Sequence, residues 1–225
     1  MGTVEIIGGL VVLVIVVVIV WRVLTPQAKK SDAIDIIPGS VSGKQVQTSS
    51  VTLDRSFNQP QGATFTYTGW ILVNDFTFNY GKKRTIFTKG DCPGLYLDTT
   101  SNSLLIAVNT YADMAETVLI DNIPANKWVH FAIIVDQDAM DVYINGIIRQ
   151  HHAFSQLPKQ NDETVKAGGT AEAGWDGVLA NLQYTPRSLS AGEVAALTAN
   201  VPKDDLHAKP SGPQYFDLTW YTGRT

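Results

Sequence analysis

The strongest constraint on this chain lies near its beginning. Ile6 to Trp21 is apolar throughout, and with Arg22 as the one charge the run extends to Leu24. As a helix, residues 6–24 cover about 28 Å, close to the ~30 Å hydrocarbon core of a bilayer. In lipid a single span satisfies its backbone groups only as a helix, so the Val and Ile richness does not make it a strand. Ile6, Leu10, Val14, Val18, Trp21 and Leu24 are the expected lipid-anchoring positions. A cleaved signal peptide fits less well. The leading end carries Glu5 and no Lys or Arg, and Thr25-Pro26-Gln27-Ala28 is a poor cleavage site.

The flanks set an orientation. Arg22, Lys29 and Lys30 follow the span and Glu5 precedes it, so the positive-inside rule places the C-terminal part on the cytosolic side. The single cysteine allows no internal disulfide, and no asparagine begins an Asn-X-Ser/Thr acceptor. Both absences agree with a domain outside the secretory lumen. The chain carries 17 basic and 21 acidic residues, a net −4, which argues against a nucleic-acid-binding surface. It also leaves the part beyond the span acidic, and such a domain does not hug an anionic membrane.

The expected organisation is an anchor over 1–25, a linker over 26–33, one domain over 34–200 and an extended tail over 201–225. The domain reads as many short strands. Thr64–Val73 alternates and is rich in Thr, Tyr, Phe and Ile. Thr85–Thr88, Gly94–Leu97, Leu104–Val108 and Thr117–Ile120 follow. Trp128–Asp136 is apolar enough to be a central strand. Met140–Ile144 runs into Asn145-Gly146, a strong hairpin dipeptide, and Ile147–Arg149 continues beyond it. Trp175–Tyr184 closes the series. Only Ser190–Thr198 reads as helix, with Ser190 and Glu193 forming a capping box. Strands at this spacing predict an all-β sandwich or barrel.

Four stretches carry a resemblance: FTYTGWILV (65–73), IPANKWVHFAIIVD (123–136), MDVYINGIIRQ (140–150) and WDGVLANLQYTPRSLSAGEVAAL (175–197). Their order resembles the laminin G-like, concanavalin A-like lectin/glucanase jelly rolls. That resemblance implies a two-sheet antiparallel jelly-roll sandwich. In the closing strand Ala180-Asn181 replaces the acidic residue that many relatives carry there. A looser resemblance, on residues 73–98 and 122–135 behind an N-terminal span, is to virion-associated proteins of large DNA viruses with an internal membrane. It implies a domain lying between that membrane and the capsid.

Catalytic chemistry finds little footing. Some relatives of the fold cleave glycans with two carboxylates on one strand face. Glu5, Glu116, Glu163, Glu172 and Glu193 stand in no such spacing with an aspartate, and Asp136, Asp138 and Asp141 surround a turn. Cys92 has no histidine near it in sequence and reads as a half-buried thiol in a turn. His151 and His152 point to opposite faces of a strand and do not share a metal. His130 alternates with apolar neighbours and is expected to be a structural, hydrogen-bonded residue. No cofactor is implied, apart from calcium, which the family allows; Asp91, Asp98, Asp113, Asp121 and Asp176 are its candidate ligands. Trp70, Trp128 and Trp175 are expected in the core, whereas Tyr80, Tyr111 and Trp220 are unconstrained.

The tail is polar and proline-rich from Val201 to Pro213, then aromatic over 215–221. Tyr215, Phe216, Trp220 and Tyr221 are candidate partner contacts, either in a strand returned to the sandwich or in an arm on a neighbour. The expected function is non-enzymatic: tethering a bilayer, through residues 6–24, to other structural proteins such as a capsid layer. The alternative is a membrane-anchored glycan-binding module. Exposed aromatics beside Asn or Asp on one rim would mark it.

Overall fold

The computed structural model describes residues 2, 32–53, 55–56, 58–59, 62–112 and 115–203. The anchor positions in 6–24, most of the linker, Asp113 and the aromatic tail positions lie outside them. Among the described residues no helix is long and apolar enough to cross a membrane.

Thirteen strands and one helix make up the described domain. In chain order they are β1 (Ile34–Ser42), β2 (Gln47–Thr48), β3 (Asn58–Gln59), β4 (Gly62–Asp75), β5 (Arg84–Thr88), β6 (Gly94–Leu97) and β7 (Leu104–Asn109). Then come β8 (Ala115–Ile120), β9 (Trp128–Asp136), β10 (Ala139–Ile144), β11 (Ile147–Ala153), β12 (Lys166–Ala167), β13 (Asp176–Thr185) and α1 (Ala191–Leu197). One antiparallel sheet runs β1-β13-β4-β9-β10-β11, with β3 on β4. The other runs β2-β12-β5-β6-β7-β8. This is the all-β, two-sheet sandwich expected from the sequence.

Period-2 alternation sorts each strand between the two faces. On β4 and β9 the core takes Phe65, Tyr67, Ile71, Val129, Phe131, Ile133 and Val135. Phe87 of the six-stranded sheet stacks on Tyr67 at 5.6 Å and on Phe131 at 5.9 Å, so one aromatic column joins the two layers. Trp175 is fully buried. Its ring fills the space beside Gly43 and Gly177, where a Cβ would overlap it.

The hairpin dipeptide behaves as its residues dictate. Asn145 and Gly146 take φ of 50° and 79°, both left-handed, as a type I′ turn requires. The helix starts at its expected cap: the Ser190 hydroxyl accepts from the Glu193 N–H, and the Glu193 carboxylate accepts from the Ser190 N–H. Leu189 and Val194 press α1 onto Ala132 and Ile134, on the outer face of the seven-stranded sheet.

Candidate functional site

Antiparallel strands deliver alternate loops to the same end of a sandwich. The β5–β6 turn, the segment after β7 and the β11–β12 connection therefore meet at one rim. Backbone bonds tie them together: Asn109 N–H donates to the Asp91 carbonyl at 2.7 Å, Lys159 N–H to Asn109 at 2.7 Å and Tyr111 N–H to Leu157 at 3.1 Å. Between the loops lies an open depression of about 370 Å³ bordered by Gly90, Asn109, Thr110, Lys159, Asn161 and Glu163.

Its amides are fixed before any ligand arrives. Asn109 Nδ2 donates to the Gly90 carbonyl at 3.0 Å, and Asn161 Nδ2 donates to the Lys89 carbonyl at 2.7 Å. Asn161 Oδ1 accepts from the Glu163 N–H at 2.9 Å and from Lys89 Nζ at 3.2 Å. Burial lowers the Lys89 pKa. Gly90 and Asp91 are both left-handed, with φ of 55°, which turns the Gly90 carbonyl into this network. Beside the depression Arg55 holds Asp162 through two bonds of 3.2 and 2.8 Å. That pairing raises the Arg55 pKa and lowers that of Asp162. Tyr111, next to Thr110, is 67% exposed. Carboxylate, ammonium, amide and phenol groups thus border one polar rim, the arrangement that fixes the orientation of a hydroxylated ligand.

A second, smaller pocket of about 120 Å³ lies on the outer face of the seven-stranded sheet. Thr68, Trp70, His130, Asn181, Gln183 and Asn200 line it, with Leu197 of α1. Trp70 and His130 meet edge to face at 5.1 Å. His130 is 2% exposed, its Nδ1 has no hydrogen-bond partner among the described residues, and burial brings its pKa down to about 4.

These positions correct several expectations. The His130 ring is not fully hydrogen-bonded; its backbone N–H is held instead, by Asn145 Oδ1 at 2.9 Å. Trp70 is buried but outside the main core, and Trp128 is only half-buried. The described calcium candidates do not converge. Asp91 accepts from the Tyr96 hydroxyl, Asp98 from Ser101, Asp121 from Ser103, and Asp176 from Asn74 while pairing with Lys44. Among the described residues no three of His, Cys, Asp and Glu gather as a metal site. Cys92 is buried rather than half-buried, and burial pushes its thiol up to about 12, far from a reactive thiolate. His151 and His152 point apart as expected, to Asp141 at 2.6 Å and Glu116 at 2.8 Å.

Tyr111 was visible from the sequence as unconstrained. Asn109, Lys159, Asn161 and Glu163 were not, because some 50 residues separate the two loops and neither contains a motif.

With the sandwich and its rim in place, comparison with known proteins decides the family. The family model described as the concanavalin A-like lectin/glucanases superfamily, laminin G group 3, matches residues 43–195. The chain belongs to this superfamily. No curated protein matches it. Among solved structures this concanavalin A-like domain is similar to the binding domain of Paraclostridial Mosquitocidal Protein 1. The TM-score is 0.57 at 16% identity, covering 71% of this chain and 42% of that one. It is also similar to the binding domain of botulinum neurotoxin serotype D, with a TM-score of 0.56 at 15% identity and coverage of 71% and 41%. The same serotype's ligand-binding domain in complex with N-acetylneuraminic acid gives 0.54 at 16% identity, with coverage of 71% and 45%. The chain spans less than half the length of each of these, and at such identity the likeness is one of fold.

Proposed function

We propose that this chain is a membrane-anchored, non-enzymatic binding module whose loop rim takes a glycan. The observation that carries the reading is the rim depression: two pinned amides, Asn109 and Asn161, with Lys159 and Glu163 beside them and the exposed Tyr111 adjacent. Sugar sites combine fixed hydrogen-bonding groups with an aromatic surface for stacking. One of the similar toxin domains is described in complex with N-acetylneuraminic acid, which supports a glycan over other hydroxylated ligands. The anchor is residues 6–24, and the flanking charges put the domain on the cytosolic side, which determines the pool of glycans the rim meets.

The test is a glycan-array screen of the full chain in mild detergent, followed by titration of each hit. Tyr111→Ala and Asn161→Ala are expected to weaken binding at least tenfold, while His151→Ala, on a distant strand, leaves it unchanged. Absence of any hit, or hits indifferent to both rim substitutions, would overturn the reading.

A second reading is the tether between a membrane and a protein assembly, such as a virion shell. Ile147 and Ile148 favour it. They stand 67% and 48% exposed beside the Asn145-Gly146 turn, apolar surface that a protein partner could cover. Repeated cross-links from this hairpin to one other protein in the native membrane would move the assignment to it.

A further inference from the structure

β13 bulges although it lies inside the seven-stranded sheet, between β1 and β4. Ala180 stands opposite Trp70 and Gln183 opposite Thr68, so Asn181 and Leu182 together face Gly69 alone. Leu182 goes to the core. Asn181 takes a left-handed backbone, with φ of 49°, and lines the outer pocket beside Trp70 and His130. Re-aiming a side chain in this way is a common use of a bulge. It falls where Ala180-Asn181 departs from the acidic residue of many relatives.

The pocket gathers hydrogen-bonding groups that the fold leaves unused. His130 is buried, and its Nδ1 has no partner among the described residues. The side chains of Thr68, Asn181 and Asn200 also make no hydrogen bond to another described residue. A buried polar group in this condition is costly, and a hydrogen bond from a ligand removes the cost. No lining side chain is ionic, and burial keeps His130 neutral at pH 7. A charged occupant would find no counter-ion, so the occupant is uncharged. The volume of about 120 Å³ sets its size. An apolar cavity of roughly 150 Å³ takes benzene, so this space holds a single ring. Trp70 is buried and meets His130 edge to face, which leaves no open indole face for a sugar to stack on. A side-chain amide presents a donor and an acceptor side by side. It matches a flat ring whose edge carries the same pair.

We infer that this pocket binds a neutral, planar nitrogen heterocycle of single-ring size, the chemical class of the pyrimidine bases. The Asn181 amide takes the donor–acceptor edge of the ring, and the Thr68 hydroxyl and the His130 imidazole take its remaining polar groups. Leu197 of α1 supplies the apolar contact. The rim depression belongs to other loops and shares no lining residue with this pocket, so the inference is independent of the glycan site.

The test is calorimetric titration of the full chain in mild detergent with uracil, cytosine, phenol and methyl glucoside. Uracil or cytosine is expected to bind with a Kd of about 1 mM or tighter, the range open to a ligand of so few atoms. Phenol and methyl glucoside are expected to bind at least tenfold more weakly. Asn181→Gly deletes the amide and suits the left-handed backbone. Thr68→Val deletes the hydroxyl at nearly constant shape. Each is expected to weaken base binding at least fivefold, and an unchanged melting temperature shows that the variant is folded. If Asn181→Gly does not fold, Thr68→Val decides alone. Four outcomes would each overturn the inference: neither base binds, phenol or methyl glucoside binds as tightly as the bases, binding is indifferent to the folded variants, or binding appears only once residues 204–225 are removed. The last would give the pocket to the chain's own tail.

Discussion

His130 sits at 2% exposure with Nδ1 unpartnered, and burial alone brings its pKa from the ordinary 6.5 to about 4. The depressed value fixes the sign of a pH effect. Between pH 6.5 and 4 the unfolded chain binds a proton that the folded chain refuses, so stability falls as pH falls through that window. The group's contribution is complete above pH 6.5 and lost by pH 4, a difference of about 3 kcal/mol at one pKa unit per 1.36 kcal/mol. His130→Gln cannot titrate. The expected outcome is a melting temperature that drops between pH 7 and pH 4 in the native protein and drops distinctly less in the variant. Equal drops would show that other groups carry the acid sensitivity. The alternation around Val129 and Phe131 places this histidine off the core face, but no sequence signal reveals that Nδ1 lacks a hydrogen-bond partner among the described residues. That follows from Asn145 binding the backbone N–H rather than the imidazole, and from the Trp70 edge against the ring.

Elements differ in how far they can be read from sequence, and the difference has a physical source. β9 and the β10–β11 hairpin were legible because apolar runs, alternation and the Asn-Gly turn are all local. The long β4 extends two residues beyond its expected bounds at each end, where Asp75 pairs with Asp176 of β13 and where Gly62 and Ala63 pair with β3. β2, β3 and β12 are two residues each and exist only because neighbours supply ladder partners, so no local preference announces them. The rim was illegible for the same reason, since Asn109 and Asn161 become neighbours only when the β11–β12 connection crosses the β5–β6 turn. The helix, by contrast, is written in its cap. Ser190 and Glu193 satisfy each other's backbone N–H groups, and Arg187 with Ser190 holds the Glu193 carboxyl down at about 2. Ser190→Ala removes the hydroxyl acceptor while leaving the apolar contacts of Val194 intact. The expected cost is about 1 kcal/mol, as for other N-cap serines. Chemical denaturation checks it, and a loss above about 3 kcal/mol would mean that the cap also anchors the loop before the helix.

At the scale of the molecule, the fold supplies a convenient way to examine the proposed anchor and its orientation. The chain's only cysteine is 4% exposed and sealed in the core, so a membrane-impermeant maleimide leaves the native protein unlabelled. Lys82, in the β4–β5 loop, is exposed, and among the described residues its side chain has no hydrogen bond or ion pair, so Lys82→Cys places one reactive thiol on the domain's surface. In the proposed orientation, drawn from Arg22, Lys29 and Lys30 after the apolar run against Glu5 before it, that surface faces the cytosol. In intact cells expressing Lys82→Cys, the reagent is therefore expected to label nothing, and permeabilising the plasma membrane is expected to bring labelling to completion. The protein should also stay with the membrane fraction through a high-salt wash, because a span is held by apolar burial that salt does not screen. Labelling of intact cells would reverse the orientation and give the rim access to extracellular glycans. Release by the wash would remove the anchor itself, since a segment of this hydrophobicity that spanned the bilayer could not be washed off.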